Sequence, residues 1–296
     1  MITLKPFKIM RHFIKLAGLA VLLMAQSCDS NETEAVGKDL LSPKAGLTPS
    51  DFKGDNHDCA TVSQFGPNSY WTETLVNTAE TNFLIQQNNS ASNLFGLANV
   101  PLYFAGGPGT FNALSYGPPN NFIIWGEDMM RKGLEYGRPA VAYIAAHEVA
   151  HQVQFRQGYP SVRGNSNTEL EADGFAGYYL RKRYTSTWSN VSAAYNFSQT
   201  IGGANGSSHG TPAQRRSALR LGWLLGQYDL TNQRLDYNFF YYYNSYVLPG
   251  KGKAPSGAEK PAGISKEIHE YIMTKITELQ EINNGEISEE EFTKLN

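Results

Sequence analysis

The stretch AAHEVAHQ, residues 145 to 152, sets His147 and His151 four residues apart, with Glu148 directly after the first. On an α-helix residues i and i+4 lie one turn apart on the same face, so both imidazoles can reach one metal ion. Glu148 falls about 100° round the helix from His147, beside the ligand face rather than on it. A carboxylate placed there can take the proton of a water on zinc, direct hydroxide at a carbonyl and pass the proton to the leaving amine. The small apolar neighbours Ala145, Ala146, Val149 and Ala150 mark the helix as buried. Two unpartnered imidazoles in such a helix are costly without a ligand or hydrogen bonds.

Two histidines do not complete a zinc site, and a third protein ligand must come from elsewhere. A continuation with Gly at 154 and His at 157 would supply it from the same segment, but both positions are Gln, which excludes the metzincin pattern. The stretch ELEAD, residues 169 to 173, begins 18 residues after His151 and offers three carboxylates. Glu169 and Asp173 are i and i+4 and share a helix face, whereas Glu171 points elsewhere. Glu169 is therefore expected on zinc. Asp173 is expected behind it, accepting the second ring N–H of a ligating histidine and fixing its tautomer.

These blocks occur in a fixed order with two more: HEVAHQ, ELEADGFAG, AAYNFSQTIG, then SHGTPAQR followed by Gly222 and Gly226. In this the chain resembles the neutral zinc metallopeptidase family of bacterial membrane-anchored proteins over roughly residues 95 to 228. The integral-membrane CaaX-prenyl and heat-shock peptidases share a looser version, HExxH, ExxAD and a later His with Arg six residues on. Here that later pair is His209 and Arg215. The resemblance implies a zincin-type, gluzincin metallopeptidase with Zn2+ held by His147, His151 and Glu169 and with Glu148 as base. It further implies that His209 stabilises the oxyanion of a tetrahedral intermediate and that Arg215 positions an acid of the site. Spacing alone reads those two as a loop histidine and a surface arginine.

The elements that must position these residues follow from periodicity and punctuation. Apolar positions recur at helical spacing from Thr61 to Gln87, and residues 100 to 126 alternate short β-prone runs with Gly and Pro turns. A small sheet therefore precedes the motif, and NNFIIWG, 120 to 126, reads as a core strand or as an exposed edge for an extended peptide. Pro139 and Gly158 frame the motif helix, and a second helix is expected from Asn167 or Thr168. Gly174 and Gly177 in it permit close approach of the motif helix. Further helices are expected over 191 to 202 and 211 to 228. The fold class is α+β, mostly helical, with the metallopeptidase domain spanning 59 to 248.

Beyond that domain, 249 to 263 reads as a Pro/Gly/Lys linker and 264 to 296 as an amphipathic helical tail. Ile264, Ile268, Ile272, Ile276 and Leu279 make one stripe, to be buried on its own domain or, over 264 to 282, against a partner helix. The aromatic run 236 to 248 reads as core.

At the amino terminus, Lys5, Lys8, Arg11 and Lys15 precede a ten-residue apolar run, Leu16 to Ala25, too short for the about 20 residues that span a bilayer. Residues 1 to 27 are expected to be a signal peptide. Ser27 before Cys28 resembles a bacterial lipoprotein signal, which would place a lipid anchor on Cys28 and the protein in the cell envelope, with plain secretion the alternative. Removing the four positive charges takes the formal charge from −2 to −6, and no basic stripe exists to neutralise nucleic-acid phosphates. Residues 28 to 58 read as a polar tether. Cys59 reads as a small buried hydrophobe, or, with His57 in NHDC, as an inhibitory cap on a metal.

The expected function is zinc-dependent endopeptidase action on a peptide or protein substrate. Two other readings are compatible with the residues: a non-catalytic envelope lipoprotein with a structural metal site, and a zinc amidase acting on cell-wall peptides.

Overall fold

The computed structural model describes residues 46–52, 56–58, 64–98, 100–159, 165–202, 209–249 and 260–296. The expected signal, Cys28, Cys59, and most of the expected tether and linker lie outside them. Among the described residues no helix is long and apolar enough to cross a membrane.

Five strands form one sheet: β1 (Asn56–Asp58), β2 (Tyr70–Thr72), β3 (Leu102–Gly106), β4 (Ala113–Tyr116) and β5 (Phe122–Gly126). Their order is β1-β4-β5-β3-β2, with β3 and β5 parallel and every other pair antiparallel. All five residues of β5 are buried, as a strand covered on both faces and paired on both sides requires. β5 is therefore the centre of the sheet, and the reading of residues 120 to 126 as an exposed edge is corrected. The expected tether is corrected too, because residues 56 to 58 form the edge strand and Phe52 is buried with Tyr116 and Phe122. The helical periodicity placed from Thr61 onward begins later, since β2 comes first and α1 spans Thr78–Leu94.

α2 (Glu127–Tyr136) leads from the sheet into α3 (Arg138–Gln157), which carries the HExxH. Pro139 occupies the first turn, where its missing N–H costs nothing, and Gly158 closes the helix at φ 72°, a left-handed conformation that suits glycine. Fifteen consecutive residues of α3, Ala140 to Gln154, are buried. A helix apolar on every side belongs in the centre of a fold. One face lies on the sheet, where Gln152 donates to Ser115 Oγ at 2.7 Å and to the Tyr116 carbonyl at 2.9 Å. The other faces meet α1, α4 (Asn165–Tyr179) and α5 (Ser192–Thr200). α4 begins two to three residues before the expected cap.

The closest helix pair is α4 with α6 (Pro212–Leu225). A Cβ on Gly222 would lie 1.8 Å from the Gly174 carbonyl oxygen, and one on Gly177 would lie 2.1 Å from that of Leu219. Here the backbones themselves touch. The glycines of α4 were expected to admit the motif helix; instead Gly177 admits α6, and Gly174 also faces the ring of Phe239 on α7 (Asn232–Tyr242). α6 starts at a capping box in which the Thr211 hydroxyl accepts from the Gln214 N–H and Gln214 Oε1 accepts from the Thr211 N–H.

The carboxyl-terminal stripe is docked at home. Ile264, Ile268, Ile272, Ile276 and Leu279 are buried, and α8 (Lys266–Asn283) lies against α6 and the π-helical turn Tyr243–Val247. Arg220 on α6 reaches Glu278 at 2.6 Å, and Trp188 donates to the carbonyl of Phe292 in α9 (Glu289–Thr293) at 2.8 Å. The apolar face that could have taken a partner helix is covered by the chain's own core, as is the aromatic run, with Phe239, Tyr242 and Tyr243 buried.

The contact of α4 with α6 is open to test. Gly222→Ala forces the two backbones apart and is expected to lower unfolding stability by about 1–3 kcal/mol or more. Gly133→Ala in α2, where the added methyl meets the tips of the Val141 side chain at 3.3 Å and the Ile144 side chain at 3.5 Å, is expected to stay within about 1 kcal/mol of wild type in the same urea titration.

Candidate metal centre

Each imidazole of the motif is held at one ring nitrogen and aimed with the other. His147 Nδ1 donates to Asp173 Oδ1 at 2.9 Å, and His151 Nδ1 donates to Gln154 Oε1 at 2.7 Å. The amide of Gln154 can face only one way. Its nitrogen donates to the Thr168 carbonyl at 2.8 Å and to Glu171 Oε2 at 2.9 Å, which leaves the oxygen for His151. With both Nδ1 hydrogens committed, both Nε2 atoms are left to face a shared ion or proton. These stand 3.0 Å apart.

Glu169 completes the group, Oε2 at 3.3 Å from His147 Nε2 and Oε1 at 3.5 Å from His151 Nε2. Two lone pairs and a carboxylate at such distances repel one another unless a positive charge lies between them. Tetrahedral zinc with bonds of about 2.0–2.1 Å sets its ligand atoms about 3.3–3.4 Å apart. The spacing of these three side chains fits that ion. Protons compete for the same lone pairs: burial lowers the His147 pKa, but hydrogen bonds to Asp173 and Glu169 outweigh it and raise the value to about 9. Burial likewise opposes ionisation of Glu169, yet the two imidazoles hold it well below the usual carboxylate range.

Behind the ligands lies a fully buried pair of charges. Asp173 is wholly buried, and Arg215 on α6 meets it with two donors, Nε to Oδ2 at 2.8 Å and Nη2 to Oδ1 at 2.9 Å. Tyr143, one turn before His147, also donates to Asp173. Burial alone would raise the Asp173 pKa, and Arg215 and His147 together bring it below the ordinary value. Asp173 therefore faces His147 as an anion. Spacing read Arg215 as a surface residue; it is fully buried and paired with Asp173.

Glu171 accepts from Gln154 through Oε2. Burial, followed by hydrogen bonding to Asp236 on α7, raises its pKa well above the usual value. Its effect on the site runs through Gln154. Glu148 is fully buried on α3 beside His147. His209 is buried just ahead of the α6 cap, close enough to His57 for charge on one to disfavour charge on the other.

His57, read from the sequence either as tether or as part of a cap on a metal, lies beside these residues. From β1 its Nδ1 reaches within 3.9 Å of Glu169 Oε1, and its ring stacks on His151 at 4.6 Å and on Phe155 at 4.9 Å. Ligand atoms of His57, His151 and Glu169 lie within 4.8 Å of one another. Burial, then His151, lowers the His57 pKa to about 3, so this third imidazole is neutral. Gln154 and Tyr143 were missed. Their signal was position alone, one helical turn after His151 and one before His147, on the ligand face.

No family model, curated protein or solved structure matches the chain. The chemistry of the site rests on its own geometry.

Metal analysis and chelator competition on alanine variants test the ligand set. Wild type is expected to retain about one zinc, Glu169→Ala to lose it and Glu171→Ala to keep it. Gln154→Ala, which frees the tautomer of His151, is expected to weaken zinc by about 10- to 100-fold.

Proposed function

We propose that the protein is a zinc-dependent endopeptidase of gluzincin type, with His147, His151 and Glu169 holding the metal. The observation that supports this most is the convergence of two oriented Nε2 lone pairs and one carboxylate on a single spot, beside a buried glutamate. Zinc in such a site supplies a Lewis acid that polarises a carbonyl and makes water acidic near neutral pH.

The chain's own residues do the rest. Glu148 takes a proton from the attacking water and returns it to the departing amine. Asp173, held by Arg215, keeps His147 in the tautomer whose Nε2 is free to bind, and Gln154 does the same for His151. His209 donates to the substrate oxygen as it gains negative charge. The substrate is a peptide or protein segment, and the lipoprotein-like signal supports a bacterial cell-envelope location with an anchor at Cys28, plain secretion being the alternative. This reading carries forward the resemblance to the neutral zinc metallopeptidases.

A second reading draws on His57. Structural zinc sites are closed by four protein ligands, whereas catalytic ones keep a position open. If His57 is a permanent fourth ligand, the domain is a non-catalytic envelope protein. Glu148 speaks against this, since a closed site has no use for a base beside it.

Two substitutions test the mechanism on an unstructured protein substrate. Glu148→Gln is expected to keep its zinc and lose hydrolysis, because an amide fills the space but accepts no proton; equal cleavage by both proteins would end the peptidase reading. His209→Ala is expected to keep fold and zinc while kcat falls by about 10²- to 10³-fold with little change in KM. Loss of zinc in this variant would make His209 a ligand instead.

A further inference from the structure

The edge of the sheet nearest the metal ligands is occupied by the chain itself. β4 pairs with β5 on one side, and on the other it pairs with β1, Asn56 opposite Tyr116, His57 opposite Ser115 and Asp58 opposite Leu114. β4 is also the strand to which α3 is tied through Gln152, and a Cβ on Gly117 at its end would lie 2.6 Å from the ring of Phe155. An extended peptide laid along this edge of β4 would run directly past the metal ligands. A free strand edge is what such a peptide needs, since its main chain completes the ladder.

One residue of β1 addresses α3 from the middle of the strand. That residue is His57. Its Nδ1 stands 3.9 Å from Glu169 Oε1, roughly half an ångström beyond the about 3.4 Å edge of a tetrahedral zinc site. Its ring is set by stacking on His151 and Phe155, one turn apart on α3. The side chain remains 32% exposed, whereas the ligating histidines and Asp173 are fully buried. His57 thus approaches the metal group from the solvent side, where a substrate carbonyl must enter.

We infer that β1 is a built-in competitor for substrate: it takes the peptide-binding edge of β4 and presents His57 to the metal at the position left by His147, His151 and Glu169. The inference rests on the metal site proposed above and adds its regulation. Among the described residues β1 pairs with β4 at three positions, a short ladder for an incoming peptide strand to displace. The closed form is a reversible latch, and the enzyme's apparent affinity for anything that binds the metal is reduced by the fraction of molecules in the open form.

The test uses the full chain loaded with Co2+ in place of zinc, titrated with acetohydroxamate and followed by the visible absorption of the cobalt. Wild type, His57→Ala and His57→Phe are compared, and cleavage of an unstructured protein is measured in parallel on the zinc forms. The expected result is one Co2+ in all three proteins, an altered spectrum in both variants, and hydroxamate binding at least about tenfold tighter in His57→Ala than in wild type. His57→Phe keeps the ring stack but cannot ligate, so it separates ligation from mere covering. Its spectrum should match that of His57→Ala while its hydroxamate affinity falls between the other two. Identical spectra and affinities in wild type and His57→Ala would overturn the latch, and so would loss of Co2+ from His57→Ala, which would make His57 a permanent structural ligand. The expected cobalt results without cleavage by any of the three would uphold the latch and defeat the peptidase reading. A wild-type chain that binds no Co2+ would defeat both.

Discussion

The interaction on which the structure depends is the buried pair of Asp173 and Arg215. Two opposite charges wholly removed from water are tolerated only with excellent geometry and with their remaining hydrogen-bonding capacity filled. Here the guanidinium fork takes both carboxylate oxygens, and those oxygens also accept from His147 and Tyr143. One anion thus ties α3, α4 and α6 at a single point. Lysine could supply the charge but not the two parallel donors. For Arg215 to reach that far, α6 must lie against α4 backbone to backbone, which is why Gly177 and Gly222 stand where the helices cross.

The two histidines are steadied by unlike partners. His147 rests on an ionised carboxylate, and His151 on a neutral amide whose direction is dictated by Thr168 and Glu171. A carboxylate behind an imidazole makes its free nitrogen the more basic one, so the ligand set is electronically lopsided. That agrees with the raised pKa of His147. Glu171, which touches none of the ligands in these contacts, still shapes the site by fixing an amide. The carboxylates of ELEAD therefore divide by partner: Glu169 faces both imidazoles, Asp173 takes His147 Nδ1 and Glu171 takes the Gln154 amide.

The sheet contributes an edge as well as support. An unpaired strand invites other chains, and proteins cover such edges. Covering β4 with β1 meets that need and at the same time brings a third histidine beside His151 and Glu169. Protection of the edge and the placing of His57 are consequences of one short strand.

Much of this was legible in the chain. The i, i+4 spacings of His147 with His151 and of Glu169 with Asp173 are local helix geometry, so the pairing of faces could be read before any fold was known. Gly158 and the Thr211-Pro212 start fixed helix limits for the same reason, as did the isoleucine stripe for α8. What sequence could not supply were relations between distant segments. Whether Arg215 is a surface residue or a buried partner depends on where α6 lies, and residues 120 to 126 show the β-prone run but not which strands flank it. Gly174 and Gly177 announce a close contact without naming the helix that makes it. NHDC suggested a metal cap for His57 but not which residues it meets, and its contact with His151 and Glu169 arises only because β1 pairs with β4 across more than fifty residues of chain. Local hydrogen bonding and side-chain direction are fixed by neighbours in sequence, whereas packing partners and strand order are fixed by which surfaces bury one another, and only the folded chain decides that.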